Sequence, residues 1–251
     1  MYILYDNIFA KTTAAGYALS SSTAATGYDA ANVADWNDWD FWKPTVTTAS
    51  YVEVQFTSAQ TVDTLAIYAH DLFTYSGTIK VRYYNAGAWT QLGSTLTPTS
   101  NGIQLLKLTS TADTRWRIEI TSTGTACKIG VAFLGVALVL PNPPVGFSPP
   151  FVPGNETESN RSVGGALLGI YGKPKSEPIN VDIRYQTLSW IRTYWLPFMR
   201  HASRRAFIVS WNKSYLSESW FCWTEKPLKN PEYSEPNFLT ANLMCEATDG
   251  L

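Results

Sequence analysis

The residues Tyr51-Val-Glu-Val-Gln-Phe56 alternate between apolar and polar side chains, and Val62-Asp-Thr-Leu-Ala-Ile-Tyr68 follows shortly after them. A period of two with one apolar face is typical of a half-buried β-strand. Similar stretches lie at 79–83 and 116–120, and Asn85-Ala-Gly87 has the composition of a hairpin turn. Short strands at this spacing predict a β-sandwich in the first half of the chain.

The second half combines strands with one helix. Apolar residues at helical spacing predict a helix that Thr187 or Ser189 can cap and that Pro197 kinks. The stripe consists of Leu188, Ile191, Trp195, Phe198 and Ala202. Strands are predicted at 179–185, 206–211, 220–224 and 238–247. This order of elements predicts a smaller α+β sandwich with one main helix.

A proline-rich stretch separates the two halves. Residues 141–160 begin Pro-Asn-Pro-Pro and contain three further prolines up to Pro153. Proline lacks an N–H donor and holds the chain extended, so this stretch is interpreted as a linker. The sequence therefore predicts a mainly β protein in which a jelly-roll β-sandwich (1–140) is followed by the linker and the α+β domain (161–251).

Composition narrows the classes of function. The net charge is −1, only 16% of the residues are charged, and 14% are aromatic. The protein therefore has no net positive charge that would attract nucleic acid or anionic lipid. A sparsely charged surface rich in aromatic residues is typical of a subunit within a larger assembly. The three cysteines form no CxxC pair. No signal peptide is recognised, and the apolar run 129–140 is too short to span a bilayer, so a cytoplasmic protein is expected.

The loop 27–42 is the strongest candidate for a contact site. It holds Trp36, Trp39 and Trp42 among acidic and amide side chains, and tryptophan is costly to leave in water. We predict that Trp42 belongs to the core. Trp36 and Trp39, with Asn37, Asp38 and Asp40, are predicted to meet another subunit, with a sugar as the alternative. Calcium at Asp35, Asp38 and Asp40 is a weaker alternative, because the glycine-punctuated loop with its distal glutamate is absent.

A second group of candidates follows the strand 62–68. His70 and Asp71, with Phe73 and Tyr75 after them, are predicted to contact a ligand or a partner. His70 is interpreted as a loop hydrogen-bonding residue rather than a base, because no G-x-S-x-G elbow accompanies it. Glu53 and Glu119 are expected on exposed strand faces without a special environment. No phosphate-binding or dinucleotide motif occurs, so neither an enzyme nor a cofactor nor a metal site is predicted.

The first half resembles galactose-binding-like (discoidin-type) domains. The matching residues are Ala31, Asn32, Asp35, Trp42, 51–56, 64–70 and 81–89, and the run from Ile129 to Pro141 is similar to the final strands of such a domain. The resemblance implies a jelly-roll with carbohydrate binding as a typical activity.

The second half resembles tail and minor structural proteins of tailed bacteriophages. The matching motifs are Ser162 to Gly165, Pro197-Phe198 in the helix, Ala206-Phe-Ile-Val-Ser-Trp211 and Phe221-Cys-Trp223. The resemblance implies a ring at a tail tip or baseplate, although in distal tail proteins the tube-like domain usually comes first. On this interpretation Arg200, Arg204 and Arg205 make subunit contacts and cap the helix rather than facing DNA.

The expected function is therefore that of a non-enzymatic distal or minor tail protein, assembled in the host cytoplasm into the virion tail. Its expected partners are further copies of itself in a ring, other tail proteins and, through the first domain, host-surface glycan. Neither specific nucleic-acid binding nor membrane insertion is expected. The alternative is a carbohydrate-binding module or lectin without an assembly role, with a glycosidase accessory protein in third place.

Overall fold

A computed structural model describes residues 1–140, 147–149 and 154–248, and it confirms a mainly β protein with one helix in its second half. The strands of the first half are β1 Tyr2–Leu4, β2 Ala18–Ser21, β3 Ser50–His70, β4 Thr78–Asn85, β5 Ala88–Leu96, β6 Gln104–Thr121, β7 Ile129–Gly135 and β8 Leu138–Val139. The two strands predicted at 51–56 and 62–68 are thus parts of one long strand.

The strands β3 and β6 form the frame of the first β-sandwich. They pair antiparallel along their length, and the pairing is irregular between Gln55 and Gln60. The first part of β3 lies between β2 and β6, and its second part pairs with β7 as well. Val54 from the first part and Leu65 from the second belong to one buried cluster, so both parts of β3 contribute to the core of the sandwich. Trp42 is fully buried in this cluster, as predicted.

The hairpin turn predicted at residues 85–87 is present between β4 and β5. Asn85 pairs with Ala88, and both residues between them, Ala86 (φ 50°) and Gly87 (φ 86°), have positive φ. Two central residues with positive φ define a type I′ turn, whose twist matches that of the flanking strands.

The second half adds β9 Gly154–Arg161, β10 Leu167–Lys175, β11 Glu177–Gln186, β12 Phe207–Ser210, β13 Ser219–Trp223, β14 Glu232–Glu235 and β15 Phe238–Thr248. The helix, α1, runs through Leu188–Trp190, a π-helical stretch Ile191–Trp195, and Leu196–Ala202. Pro197 lies two residues after the end of the π-helical stretch. A proline has no N–H for the fourth preceding carbonyl, and a widened turn is one way to accommodate it.

The helix covers one face of the second sheet. Ile191, Trp195 and Phe198 are buried against that face, and Thr187 caps the helix by accepting a hydrogen bond from the Trp190 amide (3.2 Å). Leu188, predicted on the same buried stripe, is instead 38% exposed and lies at the first residue of the helix. The sheet order is β11-β15-β13-β12-β1-β8, with β14 beside β15.

The first and last strands of the first half belong to this second sheet. In β1, Tyr2 pairs with Ser210 of β12 on one side and with Val139 of β8 on the other. The chain therefore begins in the second sheet, enters the sandwich, and returns to the same sheet through the neighbouring strand. The predicted first domain, 1–140, thus includes two strands of the second sheet.

The two parts share a buried cluster. The rings of Tyr68 in β3 and Phe221 in β13 stack with centroids 4.5 Å apart, and Phe133 of β7 and Ile208 of β12 lie in the same cluster. Every residue of β7 and of β12 is buried, because each strand has packed side chains on both faces. Among the described residues, the protein thus contains the six-stranded sheet of the sandwich, the seven-stranded second sheet with its helix, and a two-stranded sheet.

The predicted linker coincides only in part with described residues. Residues 141–146 and 150–153 lie outside them, and Phe147 packs against Trp211 with centroids 6.2 Å apart. Residues 154–160 belong to β9, which pairs with β10 in a separate two-stranded sheet. This end of the stretch is therefore a hairpin strand rather than a linker.

Candidate functional site

Separate loops of the first sandwich meet at one end of β3 and β7, which we call the loop end. Trp42 and Ile129 exchange two backbone hydrogen bonds (2.9 and 3.0 Å), which tie the loop before Trp42 to the start of β7. Asp71 Oδ1 accepts a hydrogen bond from the Lys128 amide (2.8 Å). Thr74 and Asn101 are joined by two hydrogen bonds (2.7 and 3.4 Å). The structure thus brings both groups of sequence-predicted candidates to one end of the sandwich.

Two large aromatic side chains are exposed at the loop end. Trp39 is 69% exposed and Phe73 is 53% exposed. Polar groups accompany them: Asp71, Thr74 and Asn101 on the loops, and the Lys128 ammonium, 3.8 Å from the Phe41 ring centroid. Aromatic faces with a few fixed polar groups are the usual composition of a small-ligand site.

His70 lies beneath this surface rather than on it. It is 5% exposed, its Nδ1 accepts a hydrogen bond from the Leu72 amide (3.3 Å), and its Nε2 lies 3.1 Å from the Gly102 carbonyl oxygen. An Nδ1 that accepts from an amide carries no proton, so Nε2–H donates to Gly102. Burial lowers the pKa of His70 to about 4. The predicted ligand contact is therefore a neutral, structural histidine, and the predicted loop hydrogen bonding is confirmed.

Trp36, predicted as a contact residue, is inside the protein. It is 4% exposed, and its ring lies 6.2 Å from that of Phe133 and 5.5 Å from that of His201 in α1. Its backbone has φ 67°, which is uncommon for a bulky residue and directs the side chain to the contact between the sandwich and the second sheet. Neither a sugar nor a second subunit can stack on a ring that is covered in this way.

The remaining candidates are placed as follows. Asn37 donates to both carboxylate oxygens of Asp35 (2.9 and 3.0 Å), Asp38 is exposed, and Asp40 is half-buried. Tyr75 packs in part against the sandwich core. Within the described ranges, no group of three or more His, Cys, Asp or Glu residues is placed to hold a metal ion.

The basic residues predicted as subunit contacts are accessible. Arg200, Arg204 and Arg205 are all exposed at the end of α1, where the amides of the last two donate to the His201 carbonyl. In the part of the chain that the structure describes, no helix is long and apolar enough to cross a membrane.

The outer face of the sandwich carries a charged network that the sequence did not predict. Glu53 and Glu119 were expected to be exposed, but they are only 9% and 7% exposed. Arg115 pairs with Glu53 (2.6 Å) and Arg117 with Glu119 (2.9 Å), and both guanidinium groups also cover the Trp89 ring. Long side chains that pair across neighbouring strands cover one another. The alternation of polar and apolar residues within one strand does not predict this burial, because the partner lies on another strand.

We found no family model and no curated protein that matches the sequence. Solved structures match about half of it. A GH29 fucosidase from Ruminococcus gnavus in complex with fucose is 17% identical, with a TM-score of 0.44 over 54% of this chain and 28% of that one. The chain thus spans less than a third of the length of this fucosidase.

Smaller modules are matched over almost their whole length. A family 32 carbohydrate-binding module of Clostridium perfringens NanJ in complex with galactose is 14% identical, with a TM-score of 0.40 over 47% of this chain and 92% of that one. A pectin-binding module is 19% identical, with a TM-score of 0.41 over 49% and 93%. The first half of this chain thus resembles β-sandwich modules of this kind.

Proposed function

We propose that this protein binds carbohydrate, without catalysis, at the loop end of its first sandwich. The observation that carries the proposal is the exposure of Trp39 and Phe73 at the same end of the sandwich as the hydrogen-bonding groups of Asp71, Thr74 and Asn101. A sugar ring offers an apolar face to an aromatic ring and hydroxyl groups to amide, hydroxyl and carboxylate partners, and the loop end supplies both kinds of group. Trp42 and Ile129, whose backbone hydrogen bonds tie two of the loops together, are fully buried, which holds this part of the surface in place without a ligand.

The test is a glycan array followed by titration calorimetry on the best ligand. Trp39→Ala and Phe73→Ala are each expected to weaken binding roughly tenfold or more, as for aromatic anchors in other sites. Tyr215→Ala is the matched control, because Tyr215 is 61% exposed and lies in the second half of the chain. All three variants should keep the melting temperature of the wild type. A wild-type protein that binds no glycan, or variants that bind like the wild type, would contradict the proposal.

A second candidate function is that of a self-associating structural protein, such as a component of a phage tail tip. The observation in its favour is the hairpin of β9 and β10, which pairs with no other described strand. Its large apolar residues face solvent: Val163, Leu167, Leu168, Ile170 and Tyr171. A lone two-stranded hairpin with exposed apolar residues is marginal in water, so its burial against a partner would stabilise it.

Sedimentation of the purified full chain across micromolar concentrations tests this candidate. Self-association predicts a mass that rises with concentration to a closed oligomer, and electron microscopy of that species should show a ring. A chain that is monomeric at every concentration and absent from purified virions would contradict the structural role while leaving glycan binding unaffected.

A further inference from the structure

A second unmatched apolar surface lies at the far end of the edge strand β11. Tyr185 is 60% exposed and meets the ring of Phe238 edge-on, with centroids 6.3 Å apart. Tyr233 (67% exposed) lies on β14 opposite Leu239, on the other face of this end of the sheet from Phe238, and Leu188 (38% exposed) begins the helix three residues after Tyr185, so the apolar side chains surround the end of the sheet. We call these four residues the aromatic patch.

The backbone at Tyr185 supports a functional role for the patch. Tyr185 has φ 58° and lies at an irregularity in the pairing of β11 with β15. Positive φ is unfavourable for a bulky residue, and a bulge redirects its side chain. Here the strained backbone presents an aromatic ring to solvent rather than burying it. Strained residues of this kind cluster at functional sites, which makes Tyr185 a candidate contact residue.

The hairpin and the aromatic patch lie at opposite ends of one strand. The hairpin strand β10 ends at Lys175, and β11 begins two residues later at Glu177. The patch lies at the other end of β11, at Tyr185. Eight residues of extended chain separate these ends by roughly 26 Å, at about 3.3 Å for each residue. In this structure the two surfaces do not cover each other, because both are exposed.

The charges of the two surfaces are complementary. Arg161 is exposed at the end of β9, beside the hairpin tip, whereas Glu158 lies three residues nearer the base. The patch is flanked by two exposed carboxylates, Glu232 and Glu235. The nearest cation on β11, Arg184, is paired with Asp182 (3.3 Å). Arg192, exposed in α1 four residues after Leu188, offsets one of the two carboxylates, so the rim keeps a net charge of −1 (two carboxylates and one cation) towards a tip that carries a cation.

We propose that the hairpin of one copy of this chain docks on the aromatic patch of the next copy. The proposal rests on the second candidate function, self-association, and assigns the two surfaces that carry it. A contact between two different surfaces is heterologous, so it produces a ring where the rotation closes and a filament where it does not. Both apolar surfaces become covered, and Arg161 approaches Glu232 and Glu235.

Complementation between two defective variants tests this arrangement. Leu168→Ser with Ile170→Ser disables the hairpin, and Tyr233→Ser with Phe238→Ser disables the patch. Each variant alone should be monomeric, with association weakened roughly tenfold or more. An equimolar mixture should form dimers and nothing larger, because only one intact hairpin and one intact patch can meet. Met244→Ser, at a site that is 53% exposed, is the control and should associate like the wild type.

Two further variants keep the test independent of folding defects. Tyr185→Asn removes the ring at a residue type that tolerates positive φ, so the melting temperature should hold while association falls. Arg161→Glu should weaken association, and Glu232→Lys with Glu235→Lys in the same chain should restore it.

The outcomes of these experiments distinguish the hairpin-to-patch contact from self-association, the candidate function on which it rests. A patch variant that still forms full oligomers, or a charge reversal without rescue, would overturn the hairpin-to-patch contact while self-association stands. A wild-type chain that remains monomeric would overturn both.

Discussion

Trp36 and Trp39 are three positions apart and have opposite environments. Trp36 fills the contact between the sandwich and α1, whereas Trp39 is mostly exposed. Trp36→Ala should lower the free energy of unfolding by roughly 3–5 kcal/mol, as for other buried tryptophans. Trp39→Ala should change it by less than about 0.5 kcal/mol. Urea unfolding of both variants measures the difference, and equal losses would contradict the assignment of Trp36 to the core.

The sequence alone did not separate these two residues. Both lie in an acidic loop, and a tryptophan there can serve a core or a contact equally well. What places Trp36 inside is a positive φ together with partners at Phe133 and His201, far along the chain. Trp42 was predictable because the strand that follows it and the apolar run at 129 belong to the same sandwich. Trp39 remained a contact candidate for the simple reason that nothing covers it.

His70 is expected to lower the stability of the folded protein as the pH falls. Burial holds the pKa of His70 at about 4, below its ordinary value, so the folded state keeps the imidazole neutral where the unfolded chain binds a proton. Stability is therefore fully present above about pH 6.5 and decreases as the pH falls towards 4, by up to roughly 3 kcal/mol. His201, whose pKa burial also lowers, acts in the same direction.

Unfolding by urea at several pH values between 4.5 and 7 measures this dependence. His70→Gln can still donate to Gly102 without titrating, so its curve should be flatter than that of the wild type. Parallel curves for the two proteins would show that His70 does not carry the acid dependence.

The strand β7 shows how far sequence patterns predict an element. The apolar run 129–140 was predicted to be too short for a membrane span and to resemble the final strands of a sandwich, and the structure buries every residue of β7. The partner of its outer face was not predictable, because Leu4, Ile208 and Phe221 lie far apart along the chain. Local periodicity identified the strands and the helix, whereas the assembly of β1 and β8 into the second sheet depends on contacts that no local pattern contains.

Gly130 in β7 sets the position of the Trp39 loop. A Cβ at residue 130 would lie 2.9 Å from the Ala69 Cβ and 3.1 Å from the Asp40 carbonyl oxygen. Gly130→Ala should therefore push this loop outward, cost roughly 1–3 kcal/mol of stability, and weaken glycan binding. Gly169→Ala is the control, because nothing lies within 4 Å of its Cβ. Binding that survives Gly130→Ala unchanged would show that the loop position does not matter for the ligand.

The whole molecule is organised by an insertion rather than by two domains in sequence. The strands β1 and β8 pair with each other and with β12, so the sandwich leaves the second sheet and returns to it at adjacent strands. The apolar cluster around Tyr68 and Phe221 then joins the two parts. Unfolding of one part exposes the buried face of the other, so thermal unfolding is expected to be a single transition.

A cut in the proline-rich stretch tests this organisation. A protease recognition sequence inserted between Pro144 and Val145 should be cleaved without separating the two fragments, because β1 still pairs with β12 and the shared cluster remains buried. The fragment from 145 onward, expressed alone, lacks β1 and β8 and leaves the edge of β12 uncovered, so it should be unfolded or aggregated. Restoring the first fragment should recover a soluble complex. Two independently folded fragments that separate on gel filtration would mean that the halves are ordinary consecutive domains, and that neither β1 nor the shared cluster is needed to complete the second sheet.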